Sequence, residues 1–143
     1  MIFWDSSALV PLILDEPATE AARRLVESDA SMIVWWATPV ECLSAIARRE
    51  KDATLETTQA EIARRSLAAL AVSWNEVLAS ERVREHAGRL LLRHPLRSAD
   101  ALQLGAALTW ARERPRDHAL CTLDTRLATA ARGEGFRLIL DIE

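Results

Sequence analysis

The chain has 143 residues, half of them hydrophobic, with 18 basic and 21 acidic side chains and a formal net charge of -3. That length suits one domain, 1–143, burying roughly 68 to 70% of its unfolded surface. No run approaches the ~18 apolar residues of a membrane span, and Asp5 interrupts what would otherwise open like a secretory signal; a cytoplasmic, soluble protein is expected.

The weak negative charge gives no global attraction to nucleic acid, although local positive charge escapes such a sum. Lys51 is the sole lysine among the 18 basic residues. The arginine excess suits phosphate recognition, and genomic base composition explains it as well. Cys42 and Cys121 stand in no C-x-x-C pair and sit in apolar settings, which fits reduced core thiols. His86, His94 and His118 lack the i,i+4 spacing of metal-binding histidines and are expected on the surface or in loops.

Met1 to Trp4 is a short apolar run stopped by Asp5, Ser6 and Ser7, the pattern of a buried strand whose last residues stand at the sheet's carboxyl edge. Helices are expected over 6–14 and 17–28, the second with Ala18, Ala21, Ala22, Leu25 and Val26 on one face. Met32 to Trp36 reads as a buried strand, and its adjacent Trp35 and Trp36 point to opposite faces if so. Thr38-Pro39-Val40-Glu41 has the form of a helix entry, Thr at the cap and Glu at the third position, leading to about Lys51.

Another helical pattern covers 54–70, and 71–74 is a short strand candidate. Ser80 to Arg93 returns to helical spacing through Val83, Ala87, Leu90 and Leu91. Ser98 to Arg114 is apolar almost all round, which places it centrally, with Gly105 allowing close packing. Ala119 to Leu123 is a strand stopped by Asp124, a helix follows over 125–132, and 136–140 is the last strand. Strands alternating with helices imply an α/β fold, a mostly parallel sheet of four to five strands flanked by helices.

In that arrangement Asp5, Glu41, Asp100 and Asp124 all fall at strand ends or in the helix turns that follow them, which share one edge of the sheet. Taken singly, each has a plainer role as a helix cap or dipole partner, Ser98 also being able to cap the helix of Asp100. Together, four facing carboxylates would raise one another's pKa unless a cation stood among them. Oxygen ligands without His or Cys select a hard ion, Mg²⁺ or Mn²⁺, able to activate water and neutralise charge on a phosphoryl group.

The succession Asp5-Ser6-Ser7-Ala8-Leu9, Pro39-Val40-Glu41, Ser98-Ala99-Asp100-Ala101-Leu102-Gln103-Leu104 and Thr122-Leu123-Asp124 resembles the PIN domain, and the length resembles its VapC-type toxins. The resemblance runs over nearly the whole chain and is thinnest from Lys51 to Arg97. It implies a Mg²⁺-dependent endoribonuclease of a toxin-antitoxin pair, held in check by a cognate antitoxin and commonly dimeric. Asp5 and Asp100 would be the principal metal ligands, Glu41 a ligand or water-orienting base, Asp124 the remaining acid, and Ser7 and Thr122 supporting hydroxyls. A DNA-directed nuclease and a non-catalytic interaction module of the same fold are the alternatives.

For RNA, the candidates are Arg89, Arg93 and Arg97, within a run that also holds Arg82 and Arg84 against the single acid Glu85, and Arg126 just past Asp124. A solvated helix face explains the run about equally. Tryptophans can stack on unpaired bases or serve an interface, with core packing the plain alternative, and the helix over 17–28 is a candidate wall for an antitoxin groove.

Overall fold

The three central strands are buried at every position, as a sheet covered on both sides requires. The computed structural model describes residues 1–140. Its strands are β1 (Ile2–Trp4), β2 (Met32–Trp35), β3 (Asn75–Val77), β4 (Ala119–Cys121) and β5 (Arg137–Ile139). All five pair in parallel, in the order β3-β2-β1-β4-β5, with Ile2 beside both Met32 and Ala119. The helices are α1 (Ser6–Ile13), α2 (Thr19–Ser28), α3 (Thr38–Lys51), α4 (Thr57–Ala71), α5 (Glu81–Arg93), α6 (Ser98–Trp110) and α7 (Thr125–Glu134), with a 3-10 turn at Pro115–Asp117. The parallel α/β expectation is met, and no described helix is long and apolar enough to cross a membrane.

From β1 the chain steps outward to β2 and β3, then crosses back to β4 and β5. Right-handed crossovers running in opposite directions put their helices on opposite faces. Strand alternation follows that division. Ile2, Trp4, Met32, Val34, Ala119 and Cys121 pack with α1 to α4, whereas Phe3, Ile33, Trp35 and Leu120 pack with α5 to α7. Reversal at β1 opens a crevice at the carboxyl ends of β1 and β4, where a doubly wound sheet places its ligand site.

Several expectations need correction. The strand candidate at 71–74 lies a few residues early: Ala71 is the last residue of α4, and β3 occupies 75–77. An edge strand needs only one hydrogen-bonded side, so the polar Asn75 and Glu76 are tolerated there. Helix α6 stops at Trp110 rather than 114, because Arg112 and Glu113 adopt left-handed φ values of 51° and 59°. Thr38 is not the cap of α3; Ala37 is, without a side-chain bond, and the Thr38 hydroxyl faces inward instead. Similarly, Arg97 rather than Ser98 precedes α6 as its cap residue.

His86 is buried, not a surface residue. With Val83, Ala87 and Leu90 it completes an i, i+3, i+4, i+7 inner face. Its Nε2 lies 3.2 Å from a Glu113 carboxylate oxygen and its Nδ1 2.6 Å from Arg89. The arginine must donate, so Nδ1 is the acceptor and the proton sits on Nε2. The second strand ends one residue earlier than expected: Trp35 is buried as its last residue, and Trp36 is exposed in the turn that follows, so the two are not opposite-facing strand neighbours.

At Gly105, α6 lies close against the backbone of α5. A Cβ there would stand 2.9 Å from the Val83 carbonyl oxygen and 3.1 Å from the Ala87 nitrogen. Gly105→Ala gains about 1 kcal/mol of helix propensity, yet backbone atoms cannot yield as a side-chain tip would. A net loss of about 1–2 kcal/mol is expected, read from urea unfolding; a midpoint at or above the parent's would contradict this account.

Candidate active site

Asp5 follows β1 directly and caps α1, its Oδ2 accepting from the Ser7 amide at 3.4 Å. The same oxygen accepts from the Ser7 hydroxyl at 2.6 Å and the Thr122 hydroxyl at 2.8 Å. Those hydroxyls are themselves fixed from β4's exit: Leu123 N donates to Ser7 Oγ at 2.9 Å and Asp124 N to Thr122 Oγ1 at 3.1 Å. Two strand ends that open the crevice are thereby tied through one carboxylate oxygen. Among the described residues, Asp5 Oδ1 has only a long 3.5 Å contact with Ser6 Oγ.

Asp124 caps α7 with Oδ1, which accepts from Leu127 N at 2.9 Å. Asp100, in the first turn of α6, accepts from the Arg97 amide at 3.3 Å through Oδ2. Each aspartate thus does the capping its position suggested, and each does so with one oxygen. Capping leaves the second oxygen available.

Glu41 lies one turn into α3. Its Oε1 accepts from Gln103 Nε2 at 2.6 Å, and the same amide group donates to Thr38 Oγ1 at 3.0 Å. Gln103 is almost fully buried and its Oε1 has no partner among the described residues. This holder of Glu41 was not singled out from the sequence, although Asp100 and Gln103, three apart on a helix, share a face.

The electrostatics show which acids sense one another. Burial raises the Asp5 carboxyl, its hydroxyl and amide donors oppose that, and the charge of Asp124 raises it further. Glu41 is pushed up to about 7, first by burial and then by the charges of Asp5 and Asp100, against the Gln103 bond. Among the described residues no Arg, Lys or His forms an ion pair with any of the four acids. Burial also raises both thiols, Cys42 to about 12, so these stay protonated.

A hard divalent cation fits this donor set in charge and chemistry: carboxylate oxygens, neutral hydrogen-bond partners and no protein cation. No group of three or more His, Cys, Asp or Glu side chains among the described residues is positioned to hold a metal ion as it stands. Mg²⁺ does not require such a group, since it retains waters and binds through one or two carboxylates together with substrate phosphate.

The arginine candidates separate. Arg97 and Arg126 are exposed in the turns beside Asp100 and Asp124. Arg89 and Arg93 instead line a different cavity of about 380 Å³, with His86, Glu113 and Glu134; Arg89 bonds His86, and Arg93 lies 3.6 Å from Glu134.

A doubly wound parallel sheet with carboxylates from four elements near its switch point defines the class: an α/β domain with an acidic centre. The chain belongs to the PIN domain family, whose model matches residues 2–133. Ribonuclease VapC45 of Mycobacterium tuberculosis is 29% identical over 139 residues, spanning 96% of this chain and 94% of that protein. Among solved structures, VapC20 of the same organism, described as a sarcin-ricin loop cleaving toxin, superposes with a TM-score of 0.63 at 18% identity, covering 91% of this chain and 95% of that one. A toxin-antitoxin complex from Klebsiella pneumoniae gives 0.61 at 19% identity, covering 88% of each. At such identities the structural likeness speaks for the fold.

Proposed function

We propose that this chain is a divalent-metal-dependent endoribonuclease and the toxin of a toxin-antitoxin pair. The observation that carries the reading is Asp5: buried at the carboxyl end of β1, held by neutral donors alone, and within the field of Asp124. Burying a carboxylate without a countercharge costs several kcal/mol, and an ion is what would offset it. Similarity to VapC ribonucleases supports RNA as substrate.

Asp5 with Asp100, Glu41 and Asp124 would hold Mg²⁺ or Mn²⁺, which supplies Lewis acidity toward a phosphoryl oxygen and lowers the pKa of water. Ser7 and Thr122 keep Asp5 in one orientation, and Gln103 does the same for Glu41. Glu41 Oε1 is occupied by the amide, so Oε2 is left to take a proton from the attacking water. An ionised carboxylate at that place can accept the proton as the bond to phosphorus forms. The water oxygen adds to phosphorus as one ribose oxygen leaves, and the strand is cut.

The test is incubation of purified protein with RNA in Mg²⁺, Mn²⁺ or chelator. Cleavage that needs the ion and disappears in Asp100→Asn, with unfolding unchanged, is expected. Ion-independent cleavage, or full activity in that variant, would overturn the reading. A parallel single-stranded DNA substrate separates a DNA-directed nuclease. Because Asp5, Asp100 and Asp124 do cap their helices, a non-catalytic interaction module is the second reading; calorimetry showing no divalent binding would favour it.

A cognate antitoxin, a homodimer and a cytoplasmic location belong to the same proposal. Exposed Trp36, Val40 and Leu43 beside the start of α3 offer apolar contact area for a partner chain. Co-expression with the product of a small neighbouring reading frame should abolish growth arrest and yield a co-purifying complex.

A further inference from the structure

We infer that Arg48 holds a backbone phosphate of the RNA strand as it leaves the acidic centre along the groove between α1 and α3. This rests on the ribonuclease reading above. The groove encloses about 580 Å³ and is lined by Ser6, Ser7 and Val10 on one side and Glu41, Ser44 and Arg48 on the other. It is continuous with the acids, because Ser7 and Glu41 belong to both.

Arg48 follows Glu41 by seven residues, two helical turns, so the two share a face of α3 about 10.5 Å apart along its axis. That interval is on the order of three stacked nucleotides at ~3.4 Å each. The groove also contains Glu16, whose carboxylate would repel a phosphate, but Arg49 binds it at 3.2 Å. Adjacent arginines therefore divide the tasks. Arg49 neutralises the wall, while Arg48 is exposed and has no ion pair among the described residues. Serine hydroxyls at 6 and 44 add neutral donors for the strand's oxygens.

A cation in the last turn of α3 also suits the helix dipole, a role that would affect stability and leave RNA untouched. Fluorescence anisotropy separates the two, with a labelled single-stranded RNA and the full chain carrying Asp5→Asn to prevent cleavage. Adding Arg48→Ala should weaken binding roughly 5- to 20-fold. The slope of log affinity against log salt should become shallower by about 0.7. Arg116→Ala, in the 3-10 turn that precedes β4 at the amino ends of the strands, should change neither.

In the active chain, Arg48→Ala should raise KM with kcat kept within about twofold. A neutral methylphosphonate placed about three nucleotides from the cut bond should weaken the parent and leave Arg48→Ala no weaker still. Unchanged affinity and slope in Arg48→Ala, an equal loss in Arg116→Ala, or no RNA binding by the parent would overturn the assignment. Absence of cleavage by the parent in Mg²⁺ and Mn²⁺ would overturn the ribonuclease reading instead, and the anisotropy experiment would still decide Arg48.

Discussion

Asp5→Asn is expected to lower the rate of RNA cleavage by a factor on the order of 10³ or more while raising the thermal unfolding midpoint. The two effects share one cause. Among the described residues, Oδ2 of Asp5 accepts from the Ser7 amide, the Ser7 hydroxyl and the Thr122 hydroxyl, whereas Oδ1 makes only the long contact to Ser6. An asparagine can therefore put its carbonyl oxygen where Oδ2 was and its amide where Oδ1 was, keeping the tie between the ends of β1 and β4. What it removes is the charge, whose burial raises the Asp5 pKa and whose repulsion with Asp124 adds to that.

Relief of that burden should stabilise the metal-free protein by on the order of 1–2 kcal/mol, a rise of roughly 3 °C or more at this chain length. Paired melting curves and cleavage assays, both run with chelator and with Mn²⁺, make the measurement. An inactive variant that melts lower would show that Asp5 is primarily a structural cap. Retained cleavage would remove it from the chemistry altogether.

The features of this site that could be read from the sequence are those governed by period and punctuation. Four apolar residues halted by Asp5 read as a strand end, and the parallel α/β order followed from alternating strand and helix patterns. Asp100 and Asp124 were likewise placed by the starts of their helices. Contacts between distant segments left no such trace. Thr38 looked like a cap because Thr-Pro-x-Glu favours one, but Ala37 can begin the helix unaided, and the buried Gln103 amide claims the Thr38 hydroxyl. The pairing spans 65 positions, and nothing local announces it. His86 differs: its place on the inner face was present in the spacing with Val83, Ala87 and Leu90, and was masked by the ordinary expectation that histidine is exposed. The strand at 75–77 was obscured because an edge position relaxes the demand for apolar residues.

Divalent ion and pH should act together on stability, in a direction set by Glu41. In the folded chain its carboxyl is pushed up to about 7 from an ordinary 4.5. Between those values the folded state binds more protons than the unfolded one, so metal-free stability falls as pH rises through the window and levels off above it. Asp5, also raised, acts in the same direction. Allowing for the partial exposure of Glu41, the loss should be on the order of 2 kcal/mol, or roughly 5 °C.

Carboxylates bind an ion only when ionised, so Mn²⁺ should do little at about pH 5 and progressively more toward pH 8. At about 100 times its dissociation constant an ion adds ~2.7 kcal/mol, enough to cancel the decline. Melting temperatures across this range, with chelator and with Mn²⁺, should therefore start together and separate as pH increases. Glu41→Gln should flatten the metal-free curve and narrow the separation. Equal stabilisation by Mn²⁺ at both ends of the range would mean that the ion binds elsewhere. No stabilisation at about pH 8 would mean that these acids tolerate their mutual repulsion without a cation, and would return them to the role of helix caps.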